Sequence, residues 1–232
     1  MSSRTRPSEG VRSDGESRSS RARVALILVP SIAIAVLLAT FYLVIKPLFP
    51  IVNQYYFPEQ TETFVIQQVP LMIHIVGGAT ALIAGAVNAV AATRGRFGRH
   101  RVVGIVYVIG VAFSAPTGIV LATTAYGGTL PGGAIIATSG FVLLGVLWLA
   151  TTMRAMAAIV RHDRRAHGAW MLLSFSLAFA AVTLRLYVAV LTVIGVVAFE
   201  AVYPLLAWLC WVPNIAVAAV IVRRRLALPV VE

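Results

Sequence analysis

The chain has 232 residues, 59% of them hydrophobic and only 12% charged, with a mean hydropathy of +0.90. A soluble domain is nearer half apolar and a quarter charged, so this composition excludes a water-soluble globule and makes lipid the solvent. The net charge of +11 would suit nucleic acid, but its distribution argues otherwise, because the basic residues cluster beside apolar runs and no soluble basic module carries them.

Residues 1–22 are rich in Ser, Arg, Gly and Glu and nearly devoid of large aliphatics. Such a stretch cannot bury enough apolar surface to order itself, and it reads as a disordered basic cytoplasmic tail. The run from Val24 to about Leu48 is too long for a signal-peptide core, and it reads as a retained signal anchor. Six apolar helices are expected, at about 24–46, 69–92, 102–124, 134–158, 168–193 and 200–222. Each has the roughly 20 residues needed to cross a hydrocarbon core of about 30 Å. The longest connection, 47–68, carries Tyr55, Tyr56 and Phe57, which suit an interfacial aromatic belt. The connection 124–133 contains Gly127, Gly128, Pro131, Gly132 and Gly133, a turn signal. The expected fold is an all-α polytopic bundle of residues 23–226, with neither a soluble domain nor a sequence repeat.

The charges orient it. Arg4, Arg6, Arg12, Arg18, Arg21 and Arg23 precede the first run, and Arg94, Arg96, Arg99 and Arg101 lie between the second and third. Arg154, Arg161, Arg164 and Arg165 surround the turn from the fourth run to the fifth, and Arg223, Arg224 and Arg225 follow the last. Only Lys46 and Arg185 fall elsewhere, so alternate connections face the cytoplasm and both termini are cytoplasmic. The expected partners are the bilayer and its anionic headgroups, and the location is a bacterial plasma membrane crossed several times. The lone Cys210 sits in an apolar run and excludes an internal disulfide or a CxxC motif.

Three runs carry polar stripes. His74, Gly77, Gly78, Ala81, Gly85 and Asn88 follow one another by threes and fours, as do His100, Gly104, Tyr107, Val111, Ser114 and Gly118. His167, Met171, Ser174, Ala178, Ala181 and Arg185 form the third series. That spacing places each set on one helix face, and small residues there let membrane helices approach closely. Arg185 lies five helical turns beyond His167, about 27 Å away on the same face. His74 and Arg185 therefore share an outer depth, while His100 and His167 share an inner one. An arginine within a span costs at least about 2.5–3.5 kcal/mol. Its candidate acidic partners are Glu59, Glu62 and Glu200, and His74 is a candidate neutral acceptor. Asn214, beside Trp208, Trp211 and Pro213, is a further buried polar candidate for an interhelical hydrogen bond.

His74-Ile-Val-Gly-Gly, then Arg99-His100-Arg101-Val-Val-Gly104-Ile-Val-Tyr107, then His167-Gly-Ala-Trp170-Met171 with Thr183-Leu184-Arg185-Leu186-Tyr187, form a combination. With Trp208-Leu-Cys-Trp211-Val-Pro213-Asn214 it resembles DUF2306, a bacterial membrane-protein family of unknown function, over about 70–222. The resemblance implies fold and topology rather than an activity. The family pattern often closes the second helix's stripe with Gly-Pro, where this chain has Gly85-Ala86. The layout is also distantly similar to membrane b-type cytochromes such as the b561 group, in which histidines on facing helices hold haem.

Two mechanistic readings follow, beside a structural or regulatory subunit whose polar residues only fix the bundle. In the first, His100 and His167 are axial ligands of a single b-type haem, with Arg94, Arg96, Arg99 and Arg101 toward its propionates. Met171 is a substitute ligand. A two-haem wire needs two histidines at each level, and His74 has no outer mate, so one haem is the limit. His162 reads as a solvated loop residue. In the second, His74, Arg185 and Asn214 form the polar site of a small-solute or lipid transporter, although acidic relays and matched discontinuous helices are not evident. HExxH, P-loop and GxSxG motifs are missing, and a metal site of His162, Asp163 and His167 would be opposed by the basic loop around it.

Overall fold

The structure is a computed structural model that describes residues 67–93, 97–125, 127–193 and 199–227. The expected tail over 1–22, the first helix at 24–46, Glu59 and Glu62 lie outside the described residues. Within them every regular element is helical: α1 (Gln68–Thr93), α2 (Phe97–Ala122), α3 (Gly133–Val160), α4 (Arg164–Ala178), α5 (Ala180–Val193), α6 (Phe199–Leu209) and α7 (Val212–Ala227). Five stretches are long and apolar enough to cross a membrane: Gln68–Ala89, His100–Ala122, Gly133–Val160, Arg164–Leu191 and Ala201–Arg224. The last two join α4 to α5 and α6 to α7. The outward faces are correspondingly greasy, with Val102, Phe113, Ile135, Met153 and Val217 all at least 60% exposed, as lipid contact requires.

α1 and α2 form the most intimate pair, and glycine is the reason. A Cβ on Gly77 would meet the Gly110 carbonyl at 2.9 Å, and one on Gly110 would meet the Gly77 carbonyl at 2.7 Å. Residue 74 lies against 114 and 118, residue 77 against 110, and residue 88 against 104, so the two helices run antiparallel. α3 packs on α2 through Gly145, where a Cβ would meet Ile119 at 2.6 Å, and on α6 through Gly140, against the Trp208 ring at 2.8 Å. With apolar tails on every side, closeness of this kind is what drives association, since water cannot. The glycines of the first two stripes are thus packing positions.

The turns explain how the helices are joined. Gly128 and Gly132 have φ of 60° and 70°, a region costly for residues with a Cβ, so the glycine-rich connection between α2 and α3 folds tightly. At the other end His162 has φ of 61° in the turn between α3 and α4, and it is exposed. Asp163 caps α4, its carboxylate accepting from the Ala166 amide at 2.8 Å, so His167 lies one turn inside a helix that starts at Arg164.

Two spans expected as single helices are each divided. At Phe179 the backbone stays helical but Val182 bonds back three residues, to the Phe179 carbonyl, and α4 passes into α5. At Cys210–Trp211 a similar step occurs, Trp211 donating to the Trp208 carbonyl at 3.3 Å. Pro213 gives the second break its cause: it has no N–H to offer the Leu209 carbonyl. Asn214 and Thr183 bridge the two broken spans, the amide donating to the threonine hydroxyl at 3.0 Å and to the Cys210 carbonyl at 2.9 Å.

The centre is held by a polar loop inside an apolar cluster that includes Val111, Leu177 and Trp211. The Trp148 indole N–H donates to the Tyr107 hydroxyl at 3.2 Å, and Tyr107 and Ser174 hydroxyls lie 2.6 Å apart. Ser174 and Thr152 hydroxyls are 2.7 Å apart, and Thr152 donates to the Trp148 carbonyl at 2.8 Å. An indole N–H can only donate and a carbonyl can only accept, so the order is fixed: Trp148 to Tyr107 to Ser174 to Thr152 and back to Trp148. All of these side chains are buried and each hydroxyl is paired in both senses.

Candidate functional sites at the two ends of the bundle

One end of the bundle carries Arg101, Arg154, Arg161, Arg164, Arg165, Arg223 and Arg224 among the described residues; the other carries the glycine-rich α2–α3 connection. The structure gathers the singled-out polar residues at these two ends.

At the arginine-rich end His100 and His167 are brought together. Their ring centroids are 6.5 Å apart and their planes are inclined at 85°. Both are partly buried. His167 Nδ1 lies 2.9 Å from the Ala155 carbonyl, which can only accept, so Nδ1 carries the proton and Nε2 is left with its lone pair. This partner sits on α3 and orients a ring borne by α4. His100 is anchored through its backbone. Oriented so that both ends of its amide are satisfied, Asn88 donates to the His100 carbonyl at 3.1 Å and accepts from the Gly104 amide at 2.9 Å. Arg154 lies over the Trp170 ring at 5.2 Å, a cation–π contact at the same end. Arg94 and Arg96 lie outside the described residues. No group of three or more His, Cys, Asp or Glu that could hold a metal ion forms among the described residues. His162 stays exposed in its turn.

At the glycine-loop end His74 and Arg185 line one cavity of about 250 Å³. His74 is locked to α2 by a reciprocal pair: its Nδ1 donates to the Ser114 carbonyl at 2.8 Å, and the Ser114 hydroxyl donates to the His74 carbonyl at 2.9 Å. Gly118 makes room for the ring, since a Cβ there would stand 2.8 Å from it. The Arg185 guanidinium folds back one turn and donates to the Ala181 carbonyl at 3.3 Å. Trp148 and Leu177 belong to the same wall, with Tyr203 and Thr124. Asn214 joins neither histidine and instead serves Thr183 and the Cys210 carbonyl. Cys210 is buried and a free thiol.

The loop of Trp148, Tyr107, Ser174 and Thr152 escaped the sequence reading. Tyr107 and Ser174 lie on the polar stripes, but Trp148 and Thr152 sit in a run that is otherwise aliphatic. The pair of hydroxyls at Thr151 and Thr152 in an apolar helix is the signal that pointed to it.

No curated protein sequence and no solved structure matches the chain. A family model described as a predicted membrane protein, DUF2306, matches residues 71–222, more than half of the chain and a stretch that includes His74, His100, His167 and Arg185. Apolar spans, glycine-mediated packing and that match agree, and the chain belongs to the DUF2306 family of predicted membrane proteins.

Proposed function

We propose that this membrane protein is a one-electron carrier holding a single b-type haem between His100 and His167. The observation that supports the reading is the pairing itself: imidazoles from two different helices, 6.5 Å apart centre to centre. His100 and His167 would be the two residues that hold the group. The Ala155 carbonyl holds His167 in the tautomer that presents Nε2, the role a second partner plays for a ligating histidine. Two protein ligands suffice where the bound group brings four nitrogens of its own. When bound, haem supplies a centre that gains and loses one electron.

The chain's part is to fix the two rings, to keep them in a partly apolar setting, and to present cations to the propionates. Arg101 is placed for that task by its position beside His100. By the positive-inside rule this end faces the cytoplasm, in a bacterial inner membrane on the family resemblance. A group held by His100 and His167 at one end of the bundle would serve electron exchange with a partner at that face rather than transfer across the membrane.

The test is a reduced-minus-oxidised visible spectrum of purified protein produced with ample haem. A sharp b-type α band is expected, lost or altered in both His100→Ala and His167→Ala and retained in His162→Ala. A flat spectrum from folded wild-type protein would sink the reading.

A further inference from the structure

The glycine-loop end has a different chemistry, and it goes beyond the carrier reading. The cavity of about 250 Å³ there is walled by residues of α1 through α6, and most of that wall is aliphatic, aromatic or small. Its polar groups are engaged within the chain, with one exception. The Ser114 hydroxyl donates to the His74 carbonyl, the Trp148 indole N–H to the Tyr107 hydroxyl, and the Cys210 thiol to the Ala207 carbonyl. Thr124 accepts from Gln67 and donates to the Leu121 carbonyl. Arg185 and Tyr203 likewise have partners within the chain. The exception is a ring nitrogen of His74. Nδ1 is committed to the Ser114 carbonyl at 2.8 Å, which can only accept, so the proton of the neutral ring sits on Nδ1 and Nε2 is a bare acceptor. Nε2 has no protein partner among the described residues. A lone acceptor in an apolar wall is costly until a donor reaches it.

We propose that this cavity binds a neutral phenol, its hydroxyl donating to His74 Nε2 and its ring lying among the aromatic side chains of the wall. The hydroxyl follows from the acceptor. An ionised acid, a ketone and an ether have no proton to offer Nε2, whereas a hydroxyl has one. A phenolic hydroxyl is more acidic than an aliphatic one and so the stronger donor. The ring follows from the wall. Phe141 and Tyr203 stand 6.4 Å apart centre to centre with planes inclined at 54°, and Trp148 lies in the same wall, so a flat aromatic body finds edge and face contacts. Leu144 and Leu184 supply aliphatic surface beside them. The size agrees: a dry cavity of about 150 Å³ takes up benzene, and this one has room for a ring with a short substituent. The ligand needs no charge, and Arg185 keeps its own partners.

The experiment uses full-length protein carrying nitrogen-15 histidine, in nanodiscs of neutral phosphatidylcholine, with 4-butylphenol as probe. The chain has four histidines, so the His74 Nε2 resonance is assigned by its loss in His74→Phe. A saturable shift of that resonance toward the position of a protonated nitrogen is expected. The methyl ether 4-butylanisole, which has the ring without the O–H, should leave it in place. The alcohol 1-octanol, which has the O–H without the ring, should need roughly tenfold more to reach the same shift. Competition by a phenol with a long saturated tail identifies a bilayer-anchored ligand, and its failure identifies a small diffusible one; both outcomes support the shared chemistry. His74→Phe should weaken saturable binding of radiolabelled 4-butylphenol on the order of tenfold. That variant also loses the bond to Ser114, so Leu144→Trp supplies a second test: it fills the cavity, and should abolish the Nε2 shift while the Nδ1 resonance stays where it is. An unmoved Nε2 in wild type, an equal shift from 4-butylanisole, 1-octanol binding as tightly as 4-butylphenol, or a shift retained in folded Leu144→Trp overturns the proposal. His100→Ala should bind 4-butylphenol normally, so failure here and failure of the haem reading are separable.

Discussion

At the arginine-rich end two imidazoles stand 6.5 Å apart; the His167 ring is steadied by a carbonyl of α3, and the backbone that bears His100 by the Asn88 amide of α1. At the glycine-loop end a single imidazole shares a cavity with a single guanidinium. The same residue type thus appears in two settings, and its company decides its chemistry. The pair at the arginine-rich end carries the proposed carrier reading, and the lone imidazole at the other end does not repeat it. The two ends also differ in how the backbone treats them. Asn88 pins the first through a helix interior, whereas the second lies beside two divided spans.

The comparison can be broken outright. Gly110→Leu would drive a side chain into the α1 backbone at Gly77 and Ala81, part α1 from α2, and damage both ends at once. A loss of about 3 kcal/mol or more is expected, read as a lower thermal midpoint and a poor folded yield. Ser174→Ala cuts the shared centre instead. It leaves the buried Tyr107 hydroxyl without its acceptor and should cost about 1–3 kcal/mol, with less than additive loss when combined with Tyr107→Phe. Thr183→Val touches only the bridge between the divided spans. A cost of about 0.6–1.7 kcal/mol is expected, read as a lower thermal midpoint, with the visible spectrum unchanged. A spectrum altered by Thr183→Val would show that the arginine-rich end is not independent of this bridge.

Much of this was legible in the sequence. Composition fixed the solvent, and the threes and fours of Gly77, Gly78, Ala81 and Gly85 placed one face of α1 against a neighbour. Counting turns from His167 to Arg185 put His74 and Arg185 at one level, and they line one cavity. Depth arithmetic has no azimuth between helices, however. It paired His100 with His167 by level, but could not say that α2 and α4 face each other there. The steps at Phe179 and Cys210 were missed because a one-residue change of hydrogen-bond register leaves hydropathy untouched. Asn214 was expected to make an interhelical hydrogen bond, and it makes one with Thr183 of α5, although it was also grouped with His74 and Arg185 in one polar network.

The closed loop at Trp148 has a consequence for charge movement. A file of hydroxyls can relay protons only if a proton can enter at one end and leave at the other. Here the file opens on an indole N–H and closes on the carbonyl of the same residue. An indole does not surrender its proton near neutral pH, and a carbonyl has none to pass on. Ser174 and Tyr107 therefore form a dead end rather than a wire. The file begins and ends on one residue of α3, so it joins the helices at the waist of the bundle without offering a relay along them.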